Sequence, residues 1–230
     1  MGVSARAQEP VTVSIYDDCS KNGKKEDIRT SAEENGHTWV DLGLPSGIKW
    51  ATCNVGATTP EGKGNYYAWG ETETKAWYSW GRYKYANGDQ DKLTKYCNDA
   101  QYGDNGFTDN LTTLEPEDDA ATANWGGSWR MPTDAEWAEL KENCTWTYTT
   151  LNGIVGCKVT SHTNSKSIFL PAIGYRSYNE IHFNGECHYW SVVLCEELPA
   201  CAGYLGTHVE VVCLFYKDRH FGLPVRPVCP

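Results

Sequence analysis

Residues 125–144 read WGGSWRMPTDAEWAELKENC, and they carry the clearest local folding signal in the chain. Thr133, followed three residues later by Glu136, forms a capping box. The Thr133 hydroxyl accepts a hydrogen bond from the third helical N–H, and the Glu136 carboxylate accepts one from the N–H of the cap residue. Three apolar residues then recur at helical spacing on one face: Trp137, Leu140 and Cys144. The stretch predicts an amphipathic helix docked on a core, with a structural role and no catalytic one.

Downstream of this helix, TWTYTTL and IVGCKVTS flank the dipeptide NG at residues 152–153, the strongest short signal for a two-residue hairpin. In that register Tyr148 lies opposite Cys157, and Cys144 opposite Ser161. A regular hairpin therefore disfavours a disulfide between Cys144 and Cys157. SIFLPAIGYR follows and predicts a buried strand.

Upstream, TWVDL and GIKWATCNV predict two strands joined by a turn at GLPSG. Residues 56–115 are rich in Tyr, Trp and Gly but lack periodicity, which predicts a long, ordered loop region packed on its own rings. A stacking platform for carbohydrate is the alternative. The acidic run EPEDD at residues 115–119 lacks the alternating ligands and central Gly of a calcium loop, so it predicts a solvated turn.

Residues 1–36 are predominantly polar and hold one strand-like alternation, VTVSIY at residues 11–16. They predict an arm or linker, with a boundary near Asn35 and one folded domain over residues 37–230. The start, MGVSARAQEP, lacks the apolar core of a secretory signal. A cytoplasmic or phage-borne protein, or one whose export signal has been removed, fits this start.

The composition narrows the class of partner. The chain has 230 residues, 40% of them hydrophobic, and a net charge of −10. Nucleic acid and anionic membranes are unfavourable partners for so acidic a chain, because both bind basic surfaces. No apolar run approaches the roughly 18 residues that a membrane-spanning helix requires.

The last quarter, residues 174–229, has an unusual composition. It opens with GYR, contains YWS at residues 189–191 and ends with GLPVRPVC, but between these pieces Cys, His, Val, Ala, Gly and Thr follow no helical or strand period. Such side chains, not selected for packing, predict a recognition surface. Five residues here offer zinc-ligand chemistry: Cys187, His188, Cys195, Cys201 and His208.

The sequence lacks the motifs that are typical of metal sites, nucleophilic catalysis and phosphate binding. The zinc-ligand residues include no C-x-x-C or H-x-x-x-H pair, so unrelated thiols and imidazoles are the favoured interpretation. No nucleophile elbow and no phosphate-binding Gly loop with its Lys is present. The sequence therefore predicts no catalytic residue, no metal site and no cofactor, and it favours a protein that is not an enzyme.

Several segments together resemble a family of C-type lectin-like domains found in gut Bacteroidales and their phages. The matching pieces are WVDLGLPSGIKWATCNVGA, GNYYAWGET, TTLEPEDDAA, NWGGSWRMPTDAEWAEL, LPAIGYR, YWS and GLPVRPV. The resemblance implies an α+β chain with a C-type lectin-like fold of short antiparallel strands, one or two helices and long ordered loops. The pieces WRMPTDAEW and VRPV are also similar to the formylglycine-generating branch of that fold. The calcium-dependent sugar-binding signatures of animal C-type lectins are absent, so the resemblance does not imply lectin activity.

Residues 174–229 resemble the variable region of a diversity-generating retroelement protein, in which asparagine codons are changed at their adenines. Such codons yield Cys, His, Val, Ala, Gly and Thr, and also Ser, Leu, Ile, Phe and Tyr, but never Lys, Glu, Gln, Met or Trp. The resemblance implies a fixed framework at the residues of the second kind: Glu180, Glu186, Trp190, Glu196, Glu197, Glu210 and Lys217. It implies exposed, variable ligand-binding residues on a rigid, loop-rich face. The candidates are Ser177, Ile181, His182, Cys187, His188, Val192, Val193, Cys195, Leu198, Ala200, Cys201, Gly203, Gly206, Thr207, His208, Val212, Cys213, His220 and Phe221.

The function expected from this resemblance is binding of a protein or other surface ligand, through a hypervariable C-terminal face. The expected location is a bacterial cell surface, the extracellular space or a phage particle. Two alternatives remain open: an oxidase of the formylglycine-generating type, which needs a reactive cysteine pair in a cleft, and a structural or adhesin domain without a diversified face.

Overall fold

The structure is a computed structural model, and it describes residues 32–208 and 211–230. Small antiparallel sheets dominate it, and helices are few. The coarse expectation of an α+β chain built from short antiparallel strands is therefore confirmed. The strand predicted at residues 11–16 and the framework residue Glu210 lie outside the described residues.

The first sheet brings the two ends of the described chain together. It consists of β1 (Ala32–Glu34), β2 (His37–Val40), β3 (Lys49–Ala51) and β12 (Val228–Cys229), in the order β1-β2-β3-β12. The predicted pairing of β2 with β3 is confirmed, and the turn between them is closed by a 2.9 Å hydrogen bond from the Gly47 N–H to the Leu44 carbonyl. Residues 32–34, which the sequence assigned to the arm, pair with β2.

Residues 56–115 form the long, ordered loop region that the sequence predicts. Their only helical turns are two 3-10 helices, Trp80–Arg82 and Asp104–Gly106. Tyrosine hydroxyls tie the loops together: Tyr66 donates to the Ile173 carbonyl at 2.8 Å, and Tyr83 donates to the Trp69 carbonyl at 2.7 Å. Packing in the core, preferred over a stacking platform, is confirmed for the rings that are buried here: Tyr66, Tyr67, Trp69, Tyr78, Tyr83, Tyr85 and Tyr96.

The acidic run is not a solvated turn, and that prediction is wrong. It forms a 3-10 helix, Pro116–Asp118, and the start of α1 (Ala120–Trp125), and both aspartates are buried. Asp119 caps α1 by accepting hydrogen bonds from two N–H groups of its first turn, and its other oxygen accepts one from the Met131 N–H at 2.8 Å. Asp118 accepts hydrogen bonds from tyrosines and lysines of the loop region, which compensate for its removal from water.

The capping box and the hairpin are both confirmed. The helix α2 (Asp134–Asn143) begins at the Thr133 cap, and Glu136 reaches back to it while also pairing with Arg130. Cys144 belongs to the following strand, although it is buried with Trp137 and Leu140 as predicted. The next sheet consists of β4 (Cys144–Leu151), β5 (Ile154–Ser161) and β6 (Ser167–Pro171), with Tyr148 opposite Cys157 in the expected register.

The last quarter is more regular than its composition predicts. It forms a short hairpin of β7 (Tyr175–Ser177) and β8 (Glu180–His182), then a sheet of β9 (His188–Leu194), β10 (Cys201–His208) and β11 (Val211–Asp218), in the order β11-β10-β9. Leu205, in the central strand, shares a core cluster with Trp137 of α2. One face of this sheet is therefore buried under the helix.

Within residues 32–208 and 211–230, no helix is long and apolar enough to cross a membrane.

Candidate ligand-binding face

The predicted ligand-binding residues divide into three groups by exposure. Three are exposed: Ile181, His182 and Leu198. Four are half-buried: Val193, Val212, Cys213 and Phe221. Eleven are buried: Ser177, Cys187, His188, Val192, Cys195, Ala200, Cys201, Gly203, Gly206, Thr207 and His220. His208 ends β10, and its side chain lies outside the described part of the chain.

The expected solvent exposure is therefore wrong for the eleven buried positions, and the pairing of β9, β10 and β11 is the reason. The Cys187 N–H donates to the Thr207 hydroxyl at 2.9 Å, and the Cys187 thiol donates to the Leu170 carbonyl at 3.4 Å. Gly203 faces the carboxylate of Asp134, where an added Cβ would lie 2.7 Å from an oxygen. The eleven buried residues lie beneath the surface, where a large ligand cannot contact them.

Burial makes the Cys201 and Cys144 thiols poor nucleophiles at neutral pH. Burial raises the pKa of Cys201 to about 12 and that of Cys144 to about 11. Cys157 and Cys187 lie together, and their mutual hydrogen bond lowers the pKa of Cys157 and raises that of Cys187. In the described part of the chain, no group of three or more His, Cys, Asp or Glu side chains is placed to hold a metal ion.

The exposed surface of the last quarter is instead apolar. Eleven large apolar side chains are exposed among the described residues, and eight of them lie within residues 174–229. The eight are Tyr178, Ile181, Phe183, Leu198, Val211, Leu214, Phe215 and Tyr216. Sequence reasoning missed six of these, since only Ile181 and Leu198 were candidates. A signal was present, because Phe, Tyr, Leu and Val belong to the same set of residues that a changed asparagine codon yields.

An aromatic cluster surrounds Lys217 on one side of the β10–β11 hairpin. The Lys217 ammonium lies 3.6 Å from the ring centre of Tyr175 and 5.0 Å from that of Phe221. Tyr204, on the neighbouring strand, lies 5.7 Å from the same ammonium and 5.8 Å from the ring of Phe215. Such cation–π contacts hold a long, flexible side chain in place. Burial lowers the pKa of Lys217, and the carboxylates of Asp218 and Glu186 oppose that effect.

Two buried histidines belong to this cluster. His188 stacks on Tyr204 with ring centres 5.3 Å apart, and His220 stacks at an angle on Phe221 at 4.3 Å. Burial, assisted by the Lys217 cation, lowers the pKa of His188 to about 4. Burial also lowers the pKa of His220 to about 4. Both rings are therefore neutral at pH 7, and the His188 ring also contacts the Glu186 carboxylate at 3.2 Å.

Buried arginines fix the backbone behind the face. Arg219 follows β11 directly, and its guanidinium donates to the Tyr83 hydroxyl at 2.8 Å and to the carbonyls of Tyr96, Pro199 and Lys95 at 2.9 to 3.0 Å. Arg226 donates in the same way to the Asn54 side chain at 2.9 Å and to the carbonyls of Ala51, Thr52 and Phe169. Each guanidinium joins segments that are far apart in sequence. The loop region and the last quarter are thus joined by buried hydrogen bonds.

Trp190, predicted to be framework, joins the same two parts of the chain. It is fully buried, and its indole N–H donates to the Tyr67 carbonyl at 2.8 Å. The arrangement is suited to recognition: exposed aromatic and aliphatic groups are mounted on a backbone that is held from behind by buried hydrogen bonds.

Comparisons of this chain with models of protein families, with curated proteins and with solved structures found no match.

Proposed function

We propose that this chain is a ligand-binding protein with a C-type lectin-like fold, in which residues 174–229 present a face that a retroelement diversifies. Its partner is a protein or another surface ligand, and it acts on a bacterial cell surface or a phage particle. The proposal assigns no catalytic role to the chain.

The observation that carries the proposal is where the exposed apolar side chains lie. Eight of the eleven in the described residues belong to the last quarter. Large apolar side chains left exposed in one part of a domain are typical of interaction sites. Tyr, Phe and Leu side chains anchored on a rigid backbone also lose little conformational entropy when a partner covers them.

The residue types at these positions support diversification. All eight are Tyr, Phe, Ile, Leu or Val, and each of these is encoded by an asparagine codon changed at one or both adenines. Residues that such codons cannot yield have other roles: Trp190 is buried, and Lys217 holds an aromatic cluster together. Three other framework residues, Glu180, Glu196 and Glu197, are exposed, so support for the proposal comes from the residue types on the face and not from burial of the framework as a whole.

The structure changes which residues are assigned to contact with the ligand. We propose that the ligand contacts the eight exposed apolar residues, together with His182 and the half-buried Phe221. The eleven buried candidates become supports of the face. Binding energy would come from a few anchors, and Phe215 on β11 is the leading one, since it is 41% exposed and packs against Tyr204 of the Lys217 cluster.

Sequencing the gene segment for residues 174–229 in many isolates of one population tests the proposal. We expect substitutions to concentrate at the exposed positions and to match adenines in a nearby template repeat. We expect Trp190, Arg219 and Arg226 to be constant. A segment as constant as residues 129–137, with no template repeat near the gene, contradicts diversification.

A further inference from the structure

A cleft lies in the loop region, outside the β10–β11 hairpin. It has a volume of about 490 Å³ and is lined by Lys75, Ala76, Trp77 and Arg82. A second cleft of about 420 Å³ shares Lys75 and Arg82 with it and continues along residues 71–74 to Lys84. Together they form one groove of the size that small-molecule sites have.

The floor of this groove is a closed network. The Glu71 carboxylate accepts hydrogen bonds from the Lys75 ammonium at 2.7 Å and from the Lys84 N–H at 2.8 Å. The same ammonium donates to the Arg82 carbonyl at 3.0 Å, which joins the two sides of the groove. Lys75 and Glu71 therefore neutralise each other. This ion pair shapes the floor of the groove, and the net charge of the groove is set by its other residues.

Two of the exposed side chains in the groove offer an aromatic ring and a cation. Trp77 is 46% exposed, and it contacts Tyr178 edge-on, with ring centres 5.6 Å apart and planes at 71°. Arg82 ends a 3-10 helix with its side chain exposed, and among the described residues nothing pairs with its guanidinium. Both residues line the first cleft, so a ligand bound there would meet an aromatic ring and a cation.

We propose that this groove binds an acidic sugar, a pyranose that carries a carboxylate. The C–H bonds on one face of a pyranose carry partial positive charge and pack against the electron-rich face of an indole such as Trp77. The planar guanidinium of Arg82 matches a carboxylate in two parallel hydrogen bonds. Glu73 and Thr74, exposed along the second cleft, supply acceptors for sugar hydroxyls. The inference does not depend on diversification of the last quarter.

The test uses the full chain labelled with ¹⁵N. The indole N–H signal of Trp77 is assigned by its loss in Trp77→Phe and is then followed during titration. Four probes are compared: the methyl glycosides of N-acetylneuraminic acid, glucuronic acid and galactose, and sodium acetate. We expect a saturable shift with one or both acidic sugars, and the two separate a nine-carbon acid from a hexuronic acid. The neutral sugar and acetate should bind at least about tenfold more weakly, since each lacks one of the two contacts.

Two variants locate the contact. Arg82→Gln should weaken binding of the acidic sugar about tenfold, as expected for loss of a charge-assisted pair. Lys92→Gln, which makes the same charge change at an exposed residue outside the groove, should leave the midpoint within about twofold. The proposal is overturned if neither acidic sugar gives a saturable shift up to about 20 mM, the range of a single weak contact. It is also overturned if acetate binds equally well, or if Arg82→Gln behaves like Lys92→Gln.

Discussion

The buried carboxylate of Asp118 gives the sharpest test of how the loop region is held. Its two oxygens accept hydrogen bonds from the hydroxyls of Tyr85 and Tyr96 and from the ammonium of Lys95, the last at 2.7 Å. Lys84 adds a fourth donor at 3.1 Å. Replacing Asp118 by Asn keeps the shape of the side chain but replaces one accepting oxygen with an NH2 group. That group is itself a donor, and it would face the donors that now bind the oxygen. The negative charge that balances Lys95 is lost as well.

The magnitude follows from the pKa of Asp118. Burial alone would raise this pKa, but the hydrogen bonds from Lys95, Tyr85, Tyr96 and Lys84 outweigh burial and lower it to about 2, from an ordinary 3.8. A shift of this size corresponds to about 2 kcal/mol of unfolding free energy. Because the folded-state pKa is depressed, that stabilisation is complete well above pH 3.8 and is lost as the pH falls toward 2.

Urea unfolding at pH 7 measures the effect, with Glu115→Gln as the matched control. Glu115 also pairs with Lys95, at 2.5 Å, but its side chain is 39% exposed. We expect Asp118→Asn to lower the unfolding free energy by about 2 to 4 kcal/mol, and Glu115→Gln by at most about 1. The difference between wild type and Asp118→Asn should shrink at pH 3. Equal losses for the two variants at pH 7 refute the reasoning.

The folded-state pKa values of His188 and His220 are lowered to about 4. Between pH 6.5 and 4 these histidines therefore bind protons in the unfolded chain but not in the folded one. The melting temperature should fall as the pH drops through this range. His188→Asn should flatten that slope and His162→Asn, at an exposed ring, should not; a slope unchanged in His188→Asn contradicts the assignment. Thr133→Ala should lower the unfolding free energy measured in urea by about 1 kcal/mol, and Thr133→Ser should lower it much less. Equal stability of Thr133→Ala and wild type contradicts the role of the cap. Gly153→Ala should cost about 1 kcal/mol, because this residue has φ of +82° in the hairpin turn; an unchanged midpoint excludes that turn.

The elements that the sequence predicts well are those with local signals. The capping box of α2 needs only Thr133 and Glu136, and the β4–β5 hairpin needs only an Asn-Gly turn between two alternating segments. In both cases the residues that specify the element lie within the element or next to it in the sequence. Residues 56–115 are also predicted correctly as a loop region, because so many aromatic rings require burial while the lack of periodicity excludes long helices.

The features that sequence reasoning missed depend on partners far along the chain. Asp118 is buried because Tyr85, 33 residues earlier, donates to it. Cys187 lies in the core cluster of α2, and its N–H donates to Thr207, 20 residues later. No local pattern marks either contact. In the last quarter, the residue types Cys, His, Ala and Gly do not indicate whether a position is buried or exposed. The register of β9, β10 and β11 decides that, and it is not visible in the sequence.

The central claim is that a buried framework specifies the last quarter, while its exposed side chains are free to change. Two libraries with the same degenerate codon, each varying six positions, test it by the fraction of displayed clones that resist protease. The first varies exposed positions: Tyr178, Ile181, Phe183, Leu214, Phe215 and Tyr216. The second varies buried ones: Cys187, Ala200, Cys201, Gly203, Gly206 and Thr207. We expect most clones of the first library and few of the second to be folded; equal fractions contradict the claim.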